Sequence, residues 1–325
     1  MKHLPHRLLT ASALLSSVLA TACGESRAPA PEPTLGAQVS GLCAAGTTVN
    51  AAFDVTDANG QAVDLTTANT TITVETRAGG GAWQPVDGVF VGYDGPSQMD
   101  VVLVADNSGS EQGHLDEMRS ALAAFSEAVI LGRDAPDRVG LVRVSTESKT
   151  VQDLTEDTSL VQSSIDGLFV TNGWTALWDG LRTGNELLDG GAQASCELGA
   201  YRAIAAFTDG KENHSVATTE DDVRSFTAGG APTPLQLIGV GDAIDEGTLA
   251  SLADDTGGHY THIDGYADLL GALLDVETGM SSAVPISFQV TDCEQTEARL
   301  TAKVTLDGAT FTLVVVEALP QVCPG

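Results

Sequence analysis

Hydrophobic positions fall into different regimes along the chain. Between residues 47 and 77 they alternate with period two: Val49, Ala51, Phe53 and Val55 share one face, a DANG turn follows, and Ile72 and Val74 resume the pattern. Such alternation predicts β-strands with one buried face. The far end behaves likewise. Ile286, Phe288 and Val290 alternate, and Leu300, Ala302, Val304 and Leu306 lead through Asp307-Gly308 into FTLVVV, which predicts a hairpin.

From about residue 98 to 282 the period changes. Apolar runs such as MDVVLVA, RVGLVRVS, YRAIAAFTD and PLQLIGVGD alternate with helical stretches, among them LDEMRSALAAFSEAVI, TALWDGLRTGNELL, GTLASLADDTG and YADLLGALLDVETGM. Near-continuous apolar strands separated by helices predict an α/β fold, a doubly wound and mostly parallel sheet covered on both faces. This α/β domain, residues 97–282, is expected as an insertion between two β-rich segments, 36–96 and 283–325. Neither flank is long enough to close a core alone, so the expectation is one discontinuous, immunoglobulin-like sandwich.

Composition narrows the partners. The chain carries 15 basic and 44 acidic side chains, a formal charge of −29, while its 42% hydrophobic and 18% charged content is globular. That field repels nucleic acid and anionic head groups and attracts cations.

Residues 1–22, with Lys2 and Arg7 ahead of LLTASALLSSVLA and small residues before Cys23, have the layout of an export signal. Cleavage before Cys23 resembles a bacterial lipoprotein signal, with Cys23 lipidated; Ala20 stands where that box usually carries Leu, and a secretory signal cut after Ala22 is the alternative. The Pro/Ala-rich stretch 23–35 reads as a tether. The implied location is the bacterial cell envelope, as an outer-membrane lipoprotein, or the medium. Membrane contact is then expected only through the lipid. Cys43, Cys196, Cys293 and Cys323 remain, an even number suited to two disulfides outside the cytosol, with three pairings open.

The chemistry gathers at strand ends. In open α/β sheets ligands collect beyond the carboxyl ends of the strands. One strand runs into Asp106, Ser108 and Ser110; the loop TNGWTALWDGL carries Thr175 near a helix start; AIAAFTDG ends in Asp209. Singly these are ordinary turn and capping residues. Together they resemble the metal-ion-dependent adhesion site of von Willebrand factor type A (VWA) domains, Asp-x-Ser-x-Ser followed by a distant Thr and a distant Asp. TGGHY at 256–260 also resembles the start of that family's last strand. The resemblance implies Mg²⁺, with Mn²⁺ or Ca²⁺ as alternatives. It also implies Ser108, Ser110 and Thr175 as direct ligands, with Asp106 and Asp209 acting largely through water. Hard divalent ions prefer such oxygen donors.

An ion held by neutral hydroxyls stays electrophilic. The implied partner is therefore a protein, or an extracellular or surface ligand, that offers a carboxylate, and the last helix, near 266–280, can shift when it binds. Glu111, Asp179, Glu212 and Asp242 are expected near the same edge as solvated contributors to the field. No spaced acid, His and nucleophile are legible, so no catalytic residue is assigned, and His214 and His259 read as surface or satisfied side chains. A structural envelope component with a merely stabilising metal and a metal-dependent hydrolase are the rival readings. The sequons at Asn69 and Asn213 are read as chance matches.

Overall fold

The computed structural model describes residues 35–320 apart from 59, 192–195, 229, 291 and 293. The export signal, Cys23, nearly all of the tether, Cys293 and Cys323 lie outside the described residues.

The first flank supplies β1 (Gly36–Ala45), β2 (Thr48–Thr56), β3 (Thr70–Ala78) and two short strands, β4 (Gln84–Pro85) and β5 (Phe90–Val91). β1 escaped the periodicity because it is bulged: its register against β2 slips between Ser40 and Cys43, where Gly41 takes a positive φ of 60°. A bulge inserts an unpaired residue, so the inward face changes parity midway.

The central domain follows as β6 (Gln98–Asp106), α1 (Leu115–Leu131), β7 (Arg138–Val144), β8 (Ser148–Thr155), α2 (Thr158–Asp166), α3 (Leu177–Gly191) and β9 (Ala200–Thr208). It continues with α4 (Glu220–Val223), a small ribbon of β10 (Thr227–Ala228) and β11 (Ala231–Pro232), β12 (Leu235–Val240), α5 (Glu246–Thr256), β13 (Tyr260–Ile263) and α6 (Leu269–Ser282). The strand order is β13-β12-β9-β6-β7-β8. Every pairing is parallel except the edge strand β8, which runs antiparallel to β7.

Both faces of this sheet are covered. On β6, Val101, Leu103 and Ala105 pack under α1 and α6, whereas Val102 and Val104 pack under α3. All are fully buried, which is why this strand reads as an unbroken apolar run. Close approach of α3 depends on Gly180, where a Cβ would lie 2.1 Å from Cγ2 of Val144.

The chain then leaves α6 for β14 (Val284–Gln289), β15 (Gln295–Leu306) and β16 (Ala309–Ala318). β14 pairs between β2 and β5, and β15 pairs between β16 and β3, giving two four-stranded sheets that each mix both flanks. Phe53, Ile286 and Phe288 from one sheet meet Val74, Leu300 and Val304 from the other in a shared core. The β15–β16 connection is the two-residue hairpin expected at Asp307-Gly308, with φ of 50° and 82°.

Sandwich and central domain touch at the amino-terminal edge of the parallel sheet. A disulfide joins Cys43 of β1 to Cys196, just before β9, and Asn50 Nδ2 donates to the Cys196 carbonyl at 3.1 Å. Gln38 Nε2 donates to the Gly258 carbonyl at 2.9 Å, and His259, just before β13, lies beside Asp54. This resolves one pairing the sequence left open.

Candidate metal centre

At the opposite edge, β6 ends in Asp106, whose side chain is wholly buried. Its two oxygens are fixed separately: Oδ1 accepts the Ser108 N–H at 2.9 Å, and Oδ2 accepts the Thr208 hydroxyl at 2.7 Å. The chain then bends through a short 3-10 turn, Gly109–Glu111. Ser108 Oγ lies 3.1 Å from Ser110 Oγ, and Ser110 Oγ donates to Asp209 Oδ1 at 2.6 Å. Four of the five expected positions thus touch in sequence.

Thr175 completes the ring from the loop before α3. It is buried, and its N–H donates to Asn213 Oδ1 at 3.0 Å. Its hydroxyl lies 3.9 Å from where a Cβ on Gly210 would stand, beside the residue following Asp209. The loop is pinned to the Asp106 turn by Thr171 N–H to the Asn107 carbonyl at 2.9 Å and by Gly109 N–H to the Gly173 carbonyl at 3.2 Å. Three distant stretches therefore meet at one place.

Glu111 corrects the sequence expectation. Read as solvated, it is instead fully buried, and neither of its carboxylate oxygens has a hydrogen-bond partner. Oxygens of Asp106, Glu111 and Asp209 lie within 4.8 Å of one another. The Tyr266 ring closes this side, stacked on His114 with centroids 4.5 Å apart and edge-on to Phe207. Its hydroxyl is close enough to influence Glu111 but does not reach hydrogen-bond geometry. Burial first, then the charges of Asp106 and Asp209, push the Glu111 carboxyl up to about 9. Burial also raises Asp106, against the opposing hydrogen bonds from Thr208 and Ser108.

The other acids have different uses. Half-buried Glu212 is not a solvated charge: it accepts N–H groups of Trp178, His214 and Ser215. Half-buried Asp179 accepts those of Val216 and Ala217. These bonds strap the 210–217 loop to the start of α3. Asp242 is exposed. Trp174, 62% exposed, stacks with His214, and Phe169 and Val216 are also exposed near this rim.

The donor set fits a hard divalent cation. Two oxygens on opposite sides of an ion stand about 4.2 Å apart for Mg²⁺ and about 4.6–5.2 Å for Ca²⁺, so carboxylate oxygens all within 4.8 Å of one another are close enough to share one ion. Among the described ion pairs, none involves Asp106, Glu111 or Asp209. Three carboxylates packed together without a cationic side chain call for a counter-charge.

Sequence reasoning missed Thr208, Asn213 and Tyr266 as supports. Thr208 is adjacent to Asp209 and was readable there; the other two act only through the tertiary fold.

The family model for the von Willebrand factor type A domain matches residues 100–274. No curated protein matches the chain. Among solved structures, proximal thread matrix protein 1 from the mussel byssus, determined with a zinc-occupied MIDAS motif, is 19% identical with a TM-score of 0.49. That alignment covers 57% of this chain and 49% of the mussel one. The chain spans about half the length of that protein. A von Willebrand factor type A protein from Catenulispora acidiphila is 13% identical (TM-score 0.48), covering 90% of this chain and 74% of that one. The ArnB paralog VWA2 from Sulfolobus acidocaldarius is 13% identical (TM-score 0.41), covering 88% and 75%. At these scores the likenesses add nothing to what the family match carries.

Proposed function

Because the chain belongs to the von Willebrand factor type A domain family, we propose that it binds a protein or surface ligand through a divalent cation held at the carboxyl edge of its sheet. The observation that carries this reading is the convergence of Asp106, Ser108, Ser110, Thr175 and Asp209 around a cluster of acids that lacks a cationic partner. Ser108, Ser110 and Thr175 are the direct ligands in this reading, and Asp106 and Asp209 balance the charge. Mg²⁺ is the assigned ion, with Mn²⁺ or Ca²⁺ as alternatives. Bound there, it supplies a Lewis acid to which a partner carboxylate can add. The exposed Trp174, Phe169 and Val216 offer apolar contact around such a carboxylate, which supports a macromolecular partner.

Export and lipidation at Cys23 belong to the same proposal, because an adhesive edge needs an anchor and the Pro/Ala-rich stretch supplies a spacer.

Thermal melts of the full chain with and without millimolar Mg²⁺ or Mn²⁺ test the cation. An ion that binds only the folded state stabilises it by about 2.7 kcal/mol at a hundredfold excess over Kd. Asp106→Ala is expected to abolish the shift. No shift in the wild type would sink the reading. Pull-down from envelope and secreted fractions with and without chelator tests the bridge; partners that all survive chelation would leave a structural metal, not an adhesive one.

A further inference from the structure

We propose that Glu111 is a direct carboxylate ligand of the site cation, a third acid beside Asp106 and Asp209 that the Asp-x-Ser-x-Ser pattern does not contain. The inference rests on the cation reading above. Its own ground is the state of the Glu111 side chain. It follows Ser110 directly, is fully buried, leaves both oxygens without a donor, and stands with Asp106 and Asp209 inside a 4.8 Å span.

A carboxylate in that position without compensation is costly. Removed from water, it faces two further acids and gains no hydrogen bond in return. The neighbouring acids do not share its situation. Asp106 has both oxygens occupied by protein donors, and Asp209 accepts from Ser110. Glu111 is the acid of the three that leaves both oxygens buried without a donor. Tyr266, itself buried and stacked on His114, lies beside Glu111, which has no exposed surface through which solvent could reach it.

The consequence is a richer oxygen sphere than the family pattern implies. Glu111 joins the three hydroxyls as a fourth direct oxygen donor, and the only charged one, with Asp106 and Asp209 balancing charge from behind them. An anionic oxygen donor suits Mg²⁺, Mn²⁺ or Ca²⁺ alike. The added negative charge also makes the held ion less electrophilic. A partner acid then competes with Glu111 for the ion rather than meeting a bare one.

Calorimetric titration of the full chain with Mg²⁺, Mn²⁺ and Ca²⁺ tests this, comparing wild type, Glu111→Gln and Asp106→Ala. Glu111→Gln is nearly isosteric and is expected to weaken binding by about tenfold or more, since changes even behind the ligands of metal sites cost about 10–100-fold. It is also expected to raise the metal-free melting temperature, because a buried acid without a hydrogen-bond partner gives way to a neutral amide. Glu111→Asp, which keeps the charge but shortens the reach, separates ligation from charge alone: a ligand loses affinity in both variants, a mere charge only in Glu111→Gln. If Glu111→Gln binds like wild type while Asp106→Ala does not, Glu111 is no ligand and the cation reading stands. If wild type itself takes up no ion, both fall together.

Discussion

Asp54 Oδ2 lies 3.0 Å from Nε2 of His259, so a carboxylate of the sandwich meets an imidazole at the foot of the parallel sheet. Burial by itself would lower the pKa of His259. The hydrogen bond and charge of Asp54, helped by Asp254, outweigh that and leave it raised. The folded protein thus holds this proton more tightly than the unfolded chain, whose histidine titrates near about 6.5. The stabilisation is complete below that value and is lost as pH rises through the folded pKa. The His259 side chain is 39% exposed, so solvent screening limits the effect to below about 1 kcal/mol. Wild type is expected to lose stability relative to Asp54→Asn as pH rises above about 6.5, the unfolded value, through the raised folded pKa. Parallel melting profiles across that range would refute the coupling.

The seat of α3 on the sheet is testable with two glycines of the same helix. A Cβ at Gly180 would collide with Val144, a stiff β-branched neighbour, whereas one at Gly190 meets open space. Gly180→Ala is expected to destabilise by about 1–3 kcal/mol despite alanine's better helix propensity. Gly190→Ala should stabilise by about 0.5–1 kcal/mol. Denaturant titrations of both variants make the comparison; equal effects would mean the helix can ride away from the strands freely.

The Cys43–Cys196 bridge spans 153 residues of sequence and crosses from β1 to the segment before β9. Replacing both cysteines by serine is expected to cost about 2–4 kcal/mol. Melting under reducing conditions should reproduce the loss in wild type and leave the double variant unchanged. A variant as stable as wild type would show that the remaining contacts suffice.

Thr208 orients Asp106 without joining the donor ring. In Thr208→Val the Asp106 Oδ2 loses its donor, and cation affinity is expected to fall about 10–100-fold. Stability without metal should fall by about 1–3 kcal/mol, since a buried acceptor is left unsatisfied. Thr208→Ser, which keeps the hydroxyl, should restore affinity. Failure of serine to rescue would assign the effect to packing.

How much of this was legible depended on how local each signal is. Asp106, Ser108 and Ser110 could be read because a buried strand running into a polar turn is a short-range pattern. The Asp307-Gly308 hairpin was readable for the same reason. β8 was not, because it has no fully buried residue and so no apolar alternation to detect. The last helix was expected near 266–280; its first turn is instead a 3-10 segment, Tyr266–Asp268, and α6 runs from Leu269 to Ser282. Glu111 was misread because it is buried beside Tyr266, which arrives from an element far along the chain. Sequence adjacency to a serine carries no information about such a neighbour.

The placement of the sandwich has a mechanical corollary. β6 begins, and α6 ends, on the side of the sheet away from Asp106, so the central domain is plugged into its neighbour by two legs standing next to each other. A force applied at the acidic end would divide between those legs, which are hydrogen-bonded to one another through the Gly92 N–H and the Pro285 carbonyl at 2.8 Å. The Cys43–Cys196 link gives the same load a third, covalent route into the sandwich.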